Sequence, residues 1–187
     1  MTVVQVDEPA LREAMPLREE KKKEYLRWTV DSFRLCTAGA KNETQVHTHM
    51  CYSEFNDCME AIDRLDADVN SIEAARGDNQ VLRGFQRIGY SKGLGPGTYD
   101  IHSPVIPTVE FIKDKIKSFL PCIELEKLVI NPDCGLKTRT WPESIGALQN
   151  MVAANDEVRA ELGLPTSKSY FKSASLTSVN HSCKCKC

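Results

Sequence analysis

Short apolar runs alternate with longer amphipathic segments along most of this chain, and this alternation constrains its fold more than any other feature. Five runs with strand character are each followed by a pattern of helical period, and no Asn-Gly or Asp-Gly hairpin signal joins two of them. Strands that alternate with helices form a parallel sheet with right-handed crossovers. The sequence therefore predicts an α/β fold built from five βα units.

Such a sheet closes in one of two ways, as an open doubly wound sheet or as a (β/α)8 barrel. A complete barrel typically needs about 250 residues, whereas this chain has 187. As a barrel, the chain is a partial TIM (β/α)8 barrel that contains about the last five βα units. The predicted strands are 3–6, 44–46, 67–72, a short strand after the glycine-rich run GLGPG, and 128–130. The predicted helices are 17–36, 53–65, 78–87, 107–120 and 142–162.

Composition indicates one soluble domain followed by a tail. Hydrophobic residues make up 41% of the chain and charged residues 27%, and the net charge of −2 gives no reason to expect nucleic acid or a lipid surface as a partner. We expect no secretory signal and no transmembrane segment, hence a cytoplasmic location. Residues 166–187 contain four lysines, no acidic residue and no apolar period. We expect a barrel domain over 1–165 and a disordered Lys/Ser/Cys-rich tail over 166–187.

The chain contains eight cysteines, of which five are scattered and three crowd the end of the tail. Their spacing is not that of a disulfide framework. In a reducing compartment the scattered cysteines are thiols, either buried or bound to a metal.

Polar and titratable side chains follow each predicted strand. In parallel α/β folds the functional groups gather at the carboxyl ends of the strands. Side chains alternate across a strand, so His47, His49 and Cys51 share one side, and His49 and Cys51 can reach the same ion. The groups at successive strand ends are Asp7 with Glu8, then His47, His49 and Cys51, then Glu73, then Asp100 with His102, and finally Asp133 with Cys134.

Four of these residues, His49, Cys51, Glu73 and Cys134, form a mixed nitrogen, sulfur and oxygen donor set. Zinc accepts this set, and thiolates disfavour magnesium and calcium. Structural alternatives stay open at this point. Each cysteine is also compatible with a small buried side chain, His49 with a hydrogen-bonded core residue, and Glu73 with an ion pair to Arg76.

Several long motifs carry a resemblance to a known family. The segments VQVDEPALRE, QVHTHMCYSEFND, DADVNSIEAARGD, GPGTYDIHSP and NPDCGLKTR resemble the carboxyl-terminal catalytic barrel of cobalamin-independent methionine synthase. The likeness extends over about residues 3–162. That family transfers the methyl group of 5-methyltetrahydropteroyltri-L-glutamate to homocysteine, giving methionine, and this activity is what the resemblance implies here.

The resemblance also implies site roles for seven residues and, as partners, homocysteine and a methyltetrahydrofolate polyglutamate. The implied roles are zinc ligands (His49, Cys51, Glu73 and Cys134), catalytic proton donor (His102), holder of the homocysteine amino group (Asp7) and folate contact (Glu13).

The chain also departs from the family pattern. The family's amino-terminal barrel and the first three strands of its catalytic barrel have no counterpart here, and the tail resembles nothing in the family. We therefore expect the isolated chain to be weakly active or inactive, with the missing barrel portion as a further partner. Two alternatives remain: a zinc-thiolate methyltransferase that acts on another thiol, and an inactive product of a truncated gene.

Overall fold

The structure is a computed structural model that describes residues 2–51 and 58–167. Its strands are β1 (Val3–Gln5), β2 (Gln45–Met50), β3 (Val69–Ile72) and β4 (Gly93–Pro96). Its helices are α1 (Ala10–Glu13), α2 (Glu19–Thr37), α3 (Met59–Arg64), α4 (Gln80–Arg87), α5 (Val109–Phe119) and α6 (Trp141–Glu161). Short 3-10 turns cover Leu125–Lys127 and Leu136–Thr138.

The strands form one parallel sheet in sequential order, β1-β2-β3-β4. A fifth position beside β4 is marked by two parallel bridges, Leu94 with Leu128 and Gly97 with Asn131. The predicted strand at 128–130 is therefore present only as these bridges. Sequential parallel order with a helix after each strand is the arrangement of one part of a (β/α)8 barrel.

The main core lies between one face of the sheet and helices α2, α3 and α4. Val46 and Met50 of β2 pack there with Val30 and Phe33 of α2 and Ile62 of α3. The alternate side chains of β1 and β2 point the other way, and they are exposed or half-buried. At β1 and β2 the sheet therefore has a more buried face under the helices and a more accessible face opposite.

A second core joins the last two helices to the loop after β4. Ile112 and Ile116 of α5 pack with Ala154 and Val158 of α6 and with Ile101. The predicted short strand after the glycine run is wrong, because Tyr99 and Ile101 lie in a loop whose apolar side chains fill this second core.

The glycine-rich run itself contains strand β4, where the sequence had indicated a loop. A Cβ atom on Gly95 would lie 2.3 Å from Asn131 Oδ1, and one on Gly97 would lie 1.7 Å from Asp133 Oδ1. These glycines are needed for close approach of side chains from the fifth strand position.

Two predictions fall partly outside the described residues. The predicted helix 53–65 is observed as α3 from Met59, and residues 52–57 lie outside the described part. Of the predicted disordered tail, only Thr166 and Ser167 are described, and residues 168–187 lie outside. The domain boundary at 165 stays a prediction. Within 2–51 and 58–167, none of the helices has the length and apolar character needed to cross a membrane.

Candidate metal centre

The register of β2 against β3 brings two of the predicted ligands together. His49 lies opposite Ser71, and Met50 lies opposite Ile72, the last residue of β3. Cys51 and Glu73 each follow directly after these paired ends, so they leave the sheet side by side. The predicted gathering of polar groups at the carboxyl edge is thus a consequence of strand pairing.

The ligand atoms of His49, Cys51 and Cys134 all lie within 4.8 Å of one another. Cys51 Sγ and Cys134 Sγ are 3.4 Å apart, and Cys134 Sγ lies 2.9 Å from Glu73 Oε1. The sulfur separation is well beyond a disulfide bond of about 2.05 Å. It is close to the roughly 3.8 Å expected for two sulfurs that each lie about 2.3 Å from one tetrahedral zinc.

The hydrogen bonds of His49 define its tautomer. Ser71 Oγ lies 3.2 Å from Thr48 O and 2.8 Å from His49 Nδ1; because a carbonyl oxygen can only accept, we assign the hydroxyl proton to Thr48 O and the donor role at 2.8 Å to His49 Nδ1. Nδ1 therefore carries the hydrogen, and Nε2 has a lone pair. Among the described residues Nε2 is buried with no hydrogen-bond partner. A buried lone pair that no protein group uses is the expected state of an imidazole that binds a metal through Nε2.

Electrostatics also favour a cation at this point. Burial lowers the pKa of His49, against opposing effects of Asp7 and Glu73, so the neutral, ligating form predominates. Burial, the hydrogen bond to Glu73 and the neighbouring Cys51 raise the pKa of Cys134 in the absence of a cation. Glu73 Oε2 is buried without a partner among the described residues. His49, Cys51, Glu73 and Cys134 would be relieved of these costs if they held a metal ion, because coordination favours the thiolate form and would use the lone pairs of His49 Nε2 and Glu73 Oε2. The donor set present fits zinc.

Asp133 connects the two loops that carry Glu73 and Cys134. Its Oδ1 accepts from the backbone N–H groups of Ala74 at 3.1 Å and Ala75 at 3.3 Å. Burial raises the pKa of Asp133 to about 6, although the two backbone hydrogen bonds lower it. The Asp133 side chain is buried, and its two hydrogen bonds hold the loop of Cys134 against the loop of Glu73.

The other three predicted site residues lie around this centre. Asp7 is exposed just beyond β1, accepts from Gln5 Nε2 at 2.8 Å, and is close enough to His49 to affect its pKa. Glu13 is exposed on α1. His102 is exposed in the loop after β4. These three side chains are exposed, whereas the four proposed ligands His49, Cys51, Glu73 and Cys134 are buried or half-buried.

The loop that carries His102 is fixed by a charge pair. Asp100 Oδ1 accepts from the His102 backbone N–H at 2.8 Å, and Asp100 Oδ2 accepts from Arg76 Nε at 2.7 Å. Burial would raise the pKa of Asp100, but the hydrogen bonds from Arg76 and His102 outweigh it and hold that pKa below its usual value. Arg76 thus binds Asp100, whereas the Glu73 carboxylate faces Cys134.

Sequence reasoning missed the roles of Ser71 and Asp133. Ser71 precedes Glu73 by two residues and so lies on the same side of β3, where the register places it opposite His49. That spacing was a usable signal. Asp133 was noted at a strand end, but its partners Ala74 and Ala75 belong to a distant loop, and no local pattern reveals them.

Two comparisons by sequence identify relatives. Residues 1–157 match the profile of the family described as "Cobalamin-independent synthase, Catalytic domain". A 5-methyltetrahydropteroyltriglutamate--homocysteine methyltransferase of Synechococcus sp. (strain JA-2-3B'a(2-13)) is 56% identical over 160 residues, which is 86% of this chain and 21% of the relative. Proteins of the same name from Streptomyces griseus and Mycobacterium tuberculosis are each 54% identical, again over 86% of this chain and 21% of their own length. The chain thus spans about a fifth of these relatives.

A solved structure shares the fold. A B12-independent methionine synthase from Shewanella sp. W3-18-1, in complex with selenomethionine, superposes with a TM-score of 0.70 at 19% sequence identity. The match covers 86% of this chain and 49% of that chain. Together with the parallel sheet, it confirms the predicted α/β fold as part of a (β/α)8 barrel.

Proposed function

Because this chain belongs to the cobalamin-independent synthase family, we propose that it contributes to methyl transfer from 5-methyltetrahydropteroyltri-L-glutamate to homocysteine, giving methionine. The observation that carries the proposal is the convergence of His49, Cys51 and Cys134 at the carboxyl edge of the sheet, with Glu73 against Cys134. The names of the relatives, a homocysteine methyltransferase in each case, agree with this chemistry.

We infer that the metal is zinc and that these four residues hold it. The lone pair on His49 Nε2 and the buried Glu73 oxygen support this ligand set, and two sulfur donors disfavour hard cations. Bound zinc lowers the pKa of a coordinated thiol, which supplies a thiolate near neutral pH, where an alkyl thiol with a pKa near 8.5 is mostly protonated.

The remaining residues position substrates and move a proton. Asp7 binds the ammonium group of homocysteine, and its influence on His49 supports a location on the same side of the sheet. His102 donates a proton to the pterin nitrogen as its bond to the methyl carbon breaks and the methyl group passes to sulfur. Such a positioned general acid typically contributes about 10² to 10⁴ in rate. Glu13 contacts the folate.

The chain represents only about a fifth of its relatives, so we infer that the complete reaction requires more of the barrel. We expect the isolated chain to turn over homocysteine and methyltetrahydrofolate weakly or not at all. Turnover by the purified chain at the rate of a complete relative would contradict this expectation. A cytoplasmic location stays a prediction from the sequence.

Zinc content tests the proposal directly. The dialysed chain is expected to contain one zinc per molecule by elemental analysis, and Cys134→Ser is expected to lose most of it. Cys36→Ser is the matched control, because Cys36 is exposed on α2, away from the four ligands. Absence of stoichiometric zinc, or equal zinc in the Cys134→Ser and Cys36→Ser variants, would overturn the proposed metal centre.

Substrate selectivity is tested separately at Asp7. In the zinc-loaded chain, Asp7→Asn is expected to weaken binding of homocysteine and to leave binding of a simple alkyl thiol unchanged, because only homocysteine has an ammonium group. Equal effects on both ligands would instead favour a methyltransferase that acts on another thiol.

A further inference from the structure

Helix α6 has an apolar stripe on the face that points away from the second core. The stripe consists of Trp141, Ile145, Leu148 and Val152, spaced four, three and four residues apart, so that their side chains lie on one face. Trp141 is 80% exposed, Ile145 49% and Val152 47%. Contiguous exposed apolar side chains of this kind usually mark a contact surface.

The chain reverses direction directly after α6. The Leu164 backbone N–H donates to Arg159 O at 2.8 Å, and Arg159 Nε donates to Pro165 O. Ser167 then donates from its backbone N–H at 2.7 Å, and from Oγ at 2.5 Å, to the carboxylate of Asp156. Successive residues thus bind progressively earlier positions of α6, so the chain runs back along this helix.

This return places the start of the tail at the stripe. Ser167 lines one groove together with Ile145, Leu148 and Val152. The described part of the chain therefore ends at Ser167, at one end of an exposed apolar groove.

We propose that the occupant of this groove is the first part of the chain's own segment 168–187, residues 168–179, which covers the outer stripe of α6. Its length is sufficient, because eleven residues of helix span about 16 Å and five or six extended residues cover that distance. Its composition is suitable as well: Tyr170, Phe171, Leu176 and Val179 supply apolar side chains.

Charge favours the same occupant. Segment 168–187 contains four lysines and no acidic residue, and the groove is lined by Asp156 and by Glu157, which also forms an ion pair with Lys113 at 2.6 Å. Lys168 and Lys172 flank the aromatic pair Tyr170 and Phe171. Basic side chains beside an acidic rim add attraction to the burial of apolar surface.

Limited trypsin digestion of the full chain tests the proposal through cleavage after Lys172. Cleavage there is expected to be at least tenfold slower than after Lys184, because a bound segment must detach before the protease can act. Leu148→Glu, in the groove, and Phe171→Ser, in the tail, are each expected to accelerate cleavage after Lys172 at least fivefold. Leu35→Glu is the matched control, since Leu35 is 79% exposed on α2.

Equal cleavage rates after Lys172 in wild type, Leu148→Glu and Phe171→Ser would overturn the proposal. Protection that disappears on dilution, with a matching change in sedimentation, would also overturn it and identify a second copy as the occupant. Phe171→Ser alters only the tail, so its result does not depend on whether Leu148→Glu folds.

Trp141 provides an independent measurement. The chain has two tryptophans, so Trp28→Phe leaves Trp141 as the sole reporter. Deletion of residues 168–187 in this background is expected to at least double the acrylamide quenching constant. An unchanged constant would contradict coverage of the stripe by the tail.

Discussion

The Asp133 carboxylate accepts a hydrogen bond from the backbone N–H of Ala74, a residue 59 positions earlier in the chain. Ala74 follows Glu73, and Asp133 precedes Cys134, so this bond connects two loops that each supply a proposed zinc ligand. A second bond from the Ala75 N–H, at 3.3 Å to the same oxygen, strengthens the connection. The geometry of the candidate centre therefore depends on a residue that is not itself a ligand.

Replacement of Asp133 separates its role as an acceptor from its charge. Asp133→Ala leaves two N–H groups without their acceptor, and each buried unpaired group costs roughly 1 to 3 kcal/mol. Asp133→Asn retains an oxygen at this position, so its loss is expected to be under about 1 kcal/mol. Urea unfolding of both variants measures the difference. Equal destabilisation by alanine and asparagine would refute the acceptor role.

Gly97 is expected to tolerate no side chain. A Cβ atom there would lie 1.7 Å from Asp133 Oδ1, so Gly97→Ala must displace the Asp133 loop, at a cost of about 3 kcal/mol or more. Gly39→Ala is the control, because a Cβ atom on Gly39 meets nothing within 4 Å. Thermal unfolding is the measurement. A melting temperature for Gly97→Ala within a degree of that for Gly39→Ala would show that the loop yields without strain.

The layout of the fold was predictable because it rests on local periods. Strand and helix patterns alternate with no hairpin signal, and the parallel pairing of β1, β2, β3 and β4 follows from that alternation, whereas their sequential order does not. The convergence of His49, Cys51 and Cys134 was predictable for the same reason, since parallel strands end at one edge.

Features that depend on distant side chains were not predictable. Gly95 lies in β4 and Gly97 in an isolated bridge to Asn131, and the side chains of Asn131 and Asp133 approach Gly95 and Gly97, respectively, closely, whereas a glycine-rich run read locally indicates a loop. Helix α1 was not predictable from a local sequence pattern either. Glu8 Oε2 accepts from the Leu11 backbone N–H at 2.6 Å and caps a helix too short to show an apolar period.

Ser71 is expected to control metal affinity through His49. It accepts from His49 Nδ1 at 2.8 Å, which holds the imidazole in the tautomer that leaves Nε2 for a metal. Loss of such a partner typically lowers metal affinity about 10- to 100-fold. Competition with a chromophoric zinc chelator should show this loss for Ser71→Ala and none for Ser103→Ala, an exposed serine of the His102 loop. Unchanged affinity in Ser71→Ala would mean that the tautomer is set without the serine.

The Arg76–Asp100 pair is expected to contribute a small stability that depends on pH. The pKa of Asp100 is lowered in the folded chain, so the carboxylate form favours folding. Its contribution is fully present above the unfolded pKa of about 3.9 and is lost as pH falls through the lower folded value. Because the pair is partly exposed, Asp100→Asn should cost under about 1 kcal/mol at pH 7. Urea unfolding at pH 7, 5 and 3 should show a difference from wild type that shrinks only at the lowest pH. If the stability difference between wild type and Asp100→Asn instead grew as the pH fell, the Asp100 carboxylate would not be the stabilising form.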